Sequence, residues 1–143
     1  MSYKAERKLL QACIAVGGCV PVFAGVTGML SGLGLLSGEG VIAADSHFRY
    51  LSGLLFGIGI LFWQAIPAIE TKTAQVRLLC VPIVIGGCAR LAAALFVAVP
   101  PLGMLFAIGM ELLVTPGLCL WQARIARIAR EQIGVDGERK NIK

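Results

Sequence analysis

The chain is predicted to be an all-α protein, a four-helix transmembrane bundle with up-down-up-down topology. Three observations predict it. Hydrophobic residues make up 57% of the 143 residues and charged residues only 15%, against roughly half and a quarter in soluble domains. Mean hydropathy is +0.83. The apolar residues also gather into stretches of membrane-spanning length, and the basic residues collect between and beyond them.

The first span is expected over about residues 9–36, long enough to tilt or to break at Pro21 or at one of its glycines. Ser37-Gly38-Glu39-Gly40 opens an external loop that ends near Asp45-Ser46. The second span covers about 47–66 and stops at Pro67, followed by a short loop with Glu70, Lys72, Thr73 and Gln75. The third span runs over about 78–99. The fourth covers about 102–121, continues as a basic helix to about 132, and gives way to a polar tail over 134–143. Residues 1–133 form one transmembrane domain on this reading. The N-terminus mimics a signal peptide, but the apolar run continues past the length of an ordinary h-region, so the segment is expected to remain as a membrane helix.

Lys4, Arg7 and Lys8 precede the first span, Lys72 and Arg77 lie between the second and third, and Arg124, Arg127, Arg130, Arg139, Lys140 and Lys143 follow the fourth. Under the positive-inside rule both termini and the middle loop are cytoplasmic. Trp63 and Trp121, at the same predicted ends, agree, because indole rings favour the headgroup region. The net charge of +5 comes without any base-reading motif, so no nucleic-acid partner is expected. Anionic lipid headgroups at the basic C-terminal helix account for it more simply.

The two halves echo one another. Gly17-Gly18-Cys19 resembles Gly86-Gly87-Cys88, and Leu55-Phe56-Gly57-Ile58-Gly59 resembles Leu105-Phe106-Ala107-Ile108-Gly109. That pattern suggests two parallel-related helical hairpins, although apolar composition alone also produces such echoes. Gly28-x-x-x-Gly32, Gly53-x-x-x-Gly57 and Ala89-x-x-x-Ala93 put small residues on one helix face, suited to intramolecular packing or to a homo-oligomer interface. Cys13, Cys19, Cys80, Cys88 and Cys119 form no C-x-x-C and read as small packing residues.

The most informative polar residues are Arg90 and Glu111, opposite charges equally far in sequence from the turn at Pro100-Pro101. At 1.5 Å rise per residue each lies on the order of 15 Å from that turn, near mid-bilayer, where a lone charge costs about 3 to more than 10 kcal/mol. Facing one another on adjacent helices is the least costly arrangement. The two are a structural clasp, a clasp that also lines a ligand cavity, or charges that do not touch at all. One turn past Glu111, Thr115-Pro116 is expected to kink the helix, because Pro116 has no N–H for the Leu112 carbonyl.

A second cluster, Asp45-Ser46-His47-Phe48-Arg49-Tyr50, opens the second span. Asp45 or Ser46 suits an N-cap, and Asp45 and Arg49 have salt-bridge spacing. Arg49 and Tyr50 either reach inward over a cavity mouth or snorkel to headgroups. His47, the only histidine, suits interfacial anchoring, ligand contact or acid–base work. One histidine and one carboxylate make a weak metal signal, so no metal and no cofactor is expected. No nucleophile elbow, H-E-x-x-H, P-loop or haem-attachment motif is present, and no catalytic residue is assigned.

With the run Asp45 to Gly53, Gly86-Gly87-Cys88-Ala89-Arg90 and Glu111-Leu112-Leu113-Val114-Thr115-Pro116, the chain resembles the bacterial membrane family known as domain of unknown function 4345, from about Arg7 to Ala126. The resemblance implies a small four-helix protein of the bacterial inner membrane and no particular activity. Two functions compete most closely. One is a binding or carrier module in which Arg90, Glu111, Arg49 and His47 line a cavity for a small polar or anionic molecule or a lipid. The other is an assembly subunit that docks membrane protein partners. A membrane-embedded enzyme using His47 or Glu111 as a base is a third.

Overall fold

In a computed structural model the chain is all-α, with residues 2–33, 39–96 and 100–141 described. Helix α1 spans Tyr3–Ser31, α2 Glu39–Ala65 and α3 Thr73–Phe96. The fourth long helix is composite: α4 (Leu102–Gly109), a π-helical turn (Met110–Val114) and α5 (Thr115–Asn141). Four helices are long and apolar enough to cross a membrane.

The helices exceed the predicted spans mostly at their polar ends. α1 is continuous through Pro21, with no break there. α2 begins at Glu39, because Val41-Ile42-Ala43-Ala44 extends the helix upstream of the polar cluster. Asp45 and Ser46 therefore lie inside the helix, and neither is its N-cap. α5 is helical to Asn141, through the stretch expected to be a polar tail. The predicted first-span end at Leu36, the loop opening at Ser37-Gly38, the third-span end at Val99 and the C-terminal Lys143 lie outside the described residues.

The chain divides into two compact units, Ala12–Ile66 and the combination of Met1–Gln11 with Pro67–Lys143. In the first, α1 and α2 run antiparallel: Gly18 lies against Trp63, Gly25 against Ser52 and Phe56, and Gly28 against Ser52. Small residues fill the seam because lipid supplies no hydrophobic drive, so helices gain attraction only by close approach. At Gly25 a Cβ would lie 2.7 Å from backbone atoms of Ser52 and Phe56, which cannot withdraw as a side chain can. The opposite side of α1 exposes Val16, Phe23 and Leu30 at seven-residue spacing, as a lipid-facing surface requires.

In the second unit α3 lies antiparallel to the composite helix. Gly87 packs on Glu111 and Leu112, and the Cys80 thiol donates to the Thr115 carbonyl at 3.9 Å. Leu10, Ile69, Val76, Leu79, Ile125 and Ala126 are buried here, while Leu102, Phe106, Leu113 and Leu120 remain exposed. Gly18 and Gly87, which occupy matching places in the sequence echo, are both buried contact glycines, Gly18 together with Gly25, Gly28 and Gly59 in its unit.

Candidate functional site

Glu111 sits in the π-helical turn. The turn forms because Pro116 offers no N–H and its ring would collide with the Leu112 carbonyl in a regular helix. The helix widens instead. The Thr115 N–H reaches the Met110 carbonyl, five residues back, and the Thr115 hydroxyl donates to the same oxygen at 2.9 Å. The expected distortion is thus a widened turn, and Thr115 serves Met110 rather than the freed Leu112 carbonyl. Such single turns recur at functional sites because they displace side chains from the regular helical positions.

Across from it, α3 carries Arg90. Its Nε lies 3.4 Å from Glu111 Oε1, and the side chains are 45% and 17% exposed, respectively. The approach is close because Gly87 stands one turn before Arg90: a Cβ there would lie 2.9 Å from Glu111 Cβ. At 3.4 Å the contact is an ion pair rather than a short charge-assisted hydrogen bond. Glu111 Oε2 is buried with no hydrogen-bond partner among the described residues. Guanidinium has five N–H donors and carboxylate about four acceptor positions, so this pair leaves most of its capacity unused.

The other four sequence candidates lie in the other unit. Asp45 and Arg49 make a 2.7 Å salt bridge between Oδ2 and Nε. Both also finish the C-terminus of α1. Arg49 Nη1 donates to the Met29 carbonyl at 2.6 Å and to the Leu30 carbonyl at 3.1 Å, and Asp45 accepts the Leu33 N–H. Gly32, with φ of +56°, turns the chain in the left-handed conformation at this cap, tight against Asp45 and Arg49. A charged pair thus satisfies carbonyls that a helix end leaves open. His47 and Tyr50 are exposed, with ring centroids 6.4 Å apart and planes tilted by 44°.

A third polar group, around the loop after α2, escaped the sequence reading. Arg7 grips Glu70 with two contacts, Nε–Oε2 at 2.8 Å and Nη2–Oε1 at 3.1 Å, and also donates to the Pro67 carbonyl at 3.0 Å. Glu6 accepts the Trp121 indole N–H at 3.1 Å, and Gln122, fully buried, donates to the Ile69 carbonyl at 2.6 Å and to Thr73 Oγ1 at 3.0 Å. Trp121 and Trp63, expected to anchor in headgroups, each spend their indole N–H internally, Trp63 on the Ala15 carbonyl at 3.0 Å. Partial burial disfavours the charged Glu70, but hydrogen bonds from Arg7 and from its own backbone, with the Arg7 charge, outweigh this and hold its carboxyl below the ordinary value of 4.5. The only prior signals were a basic residue before the first span and a carboxylate in the loop after the second, and a sequence separation of 63 residues hid the pairing.

Four helices long and apolar enough to cross a membrane, two of them joined by a charged pair, define the class as a multi-pass membrane protein. More narrowly, the chain belongs to the family described as Domain of unknown function (DUF4345), whose model matches residues 9–122. The match contains all six candidate residues. No curated protein and no solved structure matches the chain.

Proposed function

We propose that the protein binds or carries a small polar or anionic molecule, or a lipid, at the Arg90–Glu111 centre, within a bacterial cytoplasmic membrane and with both termini cytoplasmic. The half-satisfied pair supports this: an exposed guanidinium stands 3.4 Å from a half-buried carboxylate whose second oxygen is buried without a partner among the described residues. A clasp selected only for stability would close into the bidentate geometry that Arg7 and Glu70 adopt elsewhere in the chain. An open pair instead offers donors to a carboxylate or phosphate and an acceptor to a hydroxyl or amide. The π-helical turn beneath it supplies a local place to rearrange.

Native mass spectrometry of gently extracted protein tests this reading. The wild type is expected to retain a small molecule or lipid, and Glu111→Gln to lose it yet stay folded. A pure clasp behaves differently: Arg90→Leu and Glu111→Leu would each cost about 1–3 kcal/mol, and the double change would restore part of the loss with no ligand involved.

A second reading, an assembly subunit, draws on the small residues left uncovered. Ala89 and Ala93 are exposed, and nothing lies within 4 Å of a Cβ placed on Gly57 or Gly86. Recovery of a stoichiometric membrane partner or homo-oligomer, with no bound small molecule, would favour it.

A further inference from the structure

A groove of about 490 Å³ lies between the start of α3 and α5, wholly within the unit of Met1–Gln11 and Pro67–Lys143. Arg77 borders it from α3, and Arg124, Arg127 and Arg130 from α5, with Leu120 and Ala123 as apolar members. The three α5 arginines repeat every third residue, which places neighbours side by side along one flank of the helix. Four guanidinium groups so gathered repel one another unless anions lie among them.

The chain supplies little compensation. Glu6 stands 3.6 Å from Arg124, Glu131 3.8 Å from Arg127, and both arginine side chains are more than half exposed. Among the described residues no carboxylate pairs with Arg77 or Arg130. Among the described residues, two positive charges in the groove are therefore unbalanced. Their depth is equally telling. Arg77 directly precedes the apolar stretch of α3, and Leu120 and Trp121 close that of the fourth helix. This is the boundary where phospholipid phosphates meet acyl chains.

We propose that this groove holds one anionic phospholipid, its phosphate among the guanidinium groups and its glycerol-proximal chain along Leu120 and Ala123. Free phosphate shares the recognition chemistry, but the apolar members and the depth match a lipid. The site is separate from the Arg90–Glu111 centre and does not depend on its function.

The test uses the full chain in detergent with equimolar phosphatidylglycerol and phosphatidylcholine of matched acyl chains, read by native mass spectrometry. The wild type is expected to retain one equivalent of phosphatidylglycerol in preference to phosphatidylcholine, undisturbed by millimolar inorganic phosphate. Arg77→Gln/Arg130→Gln is expected to weaken that retention by about thirtyfold, since each basic group near a lipid surface contributes about a factor of five. Its melting temperature in phosphatidylcholine should stay unchanged, because neither arginine has a carboxylate partner to lose among the described residues. Equal retention of the two lipids by the wild type, unchanged retention in the double variant, or displacement by inorganic phosphate would overturn the proposal. The wild-type comparison stands even where the variant does not fold.

Discussion

Arg7 and Glu70 join the first turns of α1 to the loop after α2 through a bidentate contact at 2.8 and 3.1 Å. Because the folded carboxyl ionises below its ordinary value of 4.5, the unfolded chain takes up the proton first as pH falls. The stabilisation is thus complete above the ordinary carboxylate range and disappears as pH drops through the depressed value. Glu70→Gln should lower stability at neutral pH by about 1 kcal/mol, discounted for the partial exposure of both groups. The difference between wild type and variant should shrink as pH falls below the ordinary carboxylate range and vanish once the folded carboxyl is protonated, read in thermal melts across a pH series. A gap that persists there would mean the contact acts through shape rather than charge. Gln122 shows the same economy at a neutral residue, since its amide occupies a backbone carbonyl that would otherwise be buried and open.

At the level of elements, glycine decides how closely helices meet, and its neighbours in sequence provide the controls. Gly87→Ala would place a Cβ 2.9 Å from Glu111 Cβ and 2.8 Å from Leu112 Cδ2, forcing α3 away from the π-helical turn. Overpacking of this kind costs about 1–3 kcal/mol. Gly86→Ala, with nothing within 4 Å, should be neutral or stabilising by a few tenths of a kcal/mol through helix propensity, up to about 1 kcal/mol. Melting temperatures of the two variants in the same detergent check the contrast; equal effects would show that α3 does not contact the turn closely. The same substitution should loosen the Arg90–Glu111 pair, because Gly87 sets its separation.

For the whole molecule, the basic residues predict sidedness. In a cysteine-free background, Ser2→Cys and Lys72→Cys should react with a membrane-impermeant maleimide only after the cytoplasmic side is opened, and Gly103→Cys only from the opposite side. Ser2 and Lys72 are exposed polar positions, and Gly103 is the second residue of α4, just after Pro100-Pro101, and is exposed. Labelling of Lys72→Cys and Gly103→Cys from one side would refute the alternating topology. The same sidedness governs the arginine groove, whose anionic lipid would then belong to the cytoplasmic leaflet.

Composition and charge placement suffice for the class of this chain: helices that cross lipid must be long and apolar, and their basic flanks are written in order along the sequence. The Arg90–Glu111 pairing was legible for the same reason, since two opposite charges at one depth have few alternatives to one another. Helix ends and polar roles were not. Asp45 resembled an N-cap because polar residues after an apolar gap do, yet α2 starts earlier and the carboxylate closes the far end of α1 instead. The Arg7–Glu70 grip, the buried Gln122 and the arginine groove join residues far apart in sequence. Only the packed helices could decide these, because hydrogen-bond geometry depends on which faces meet, and a linear pattern of polarity carries no such distance.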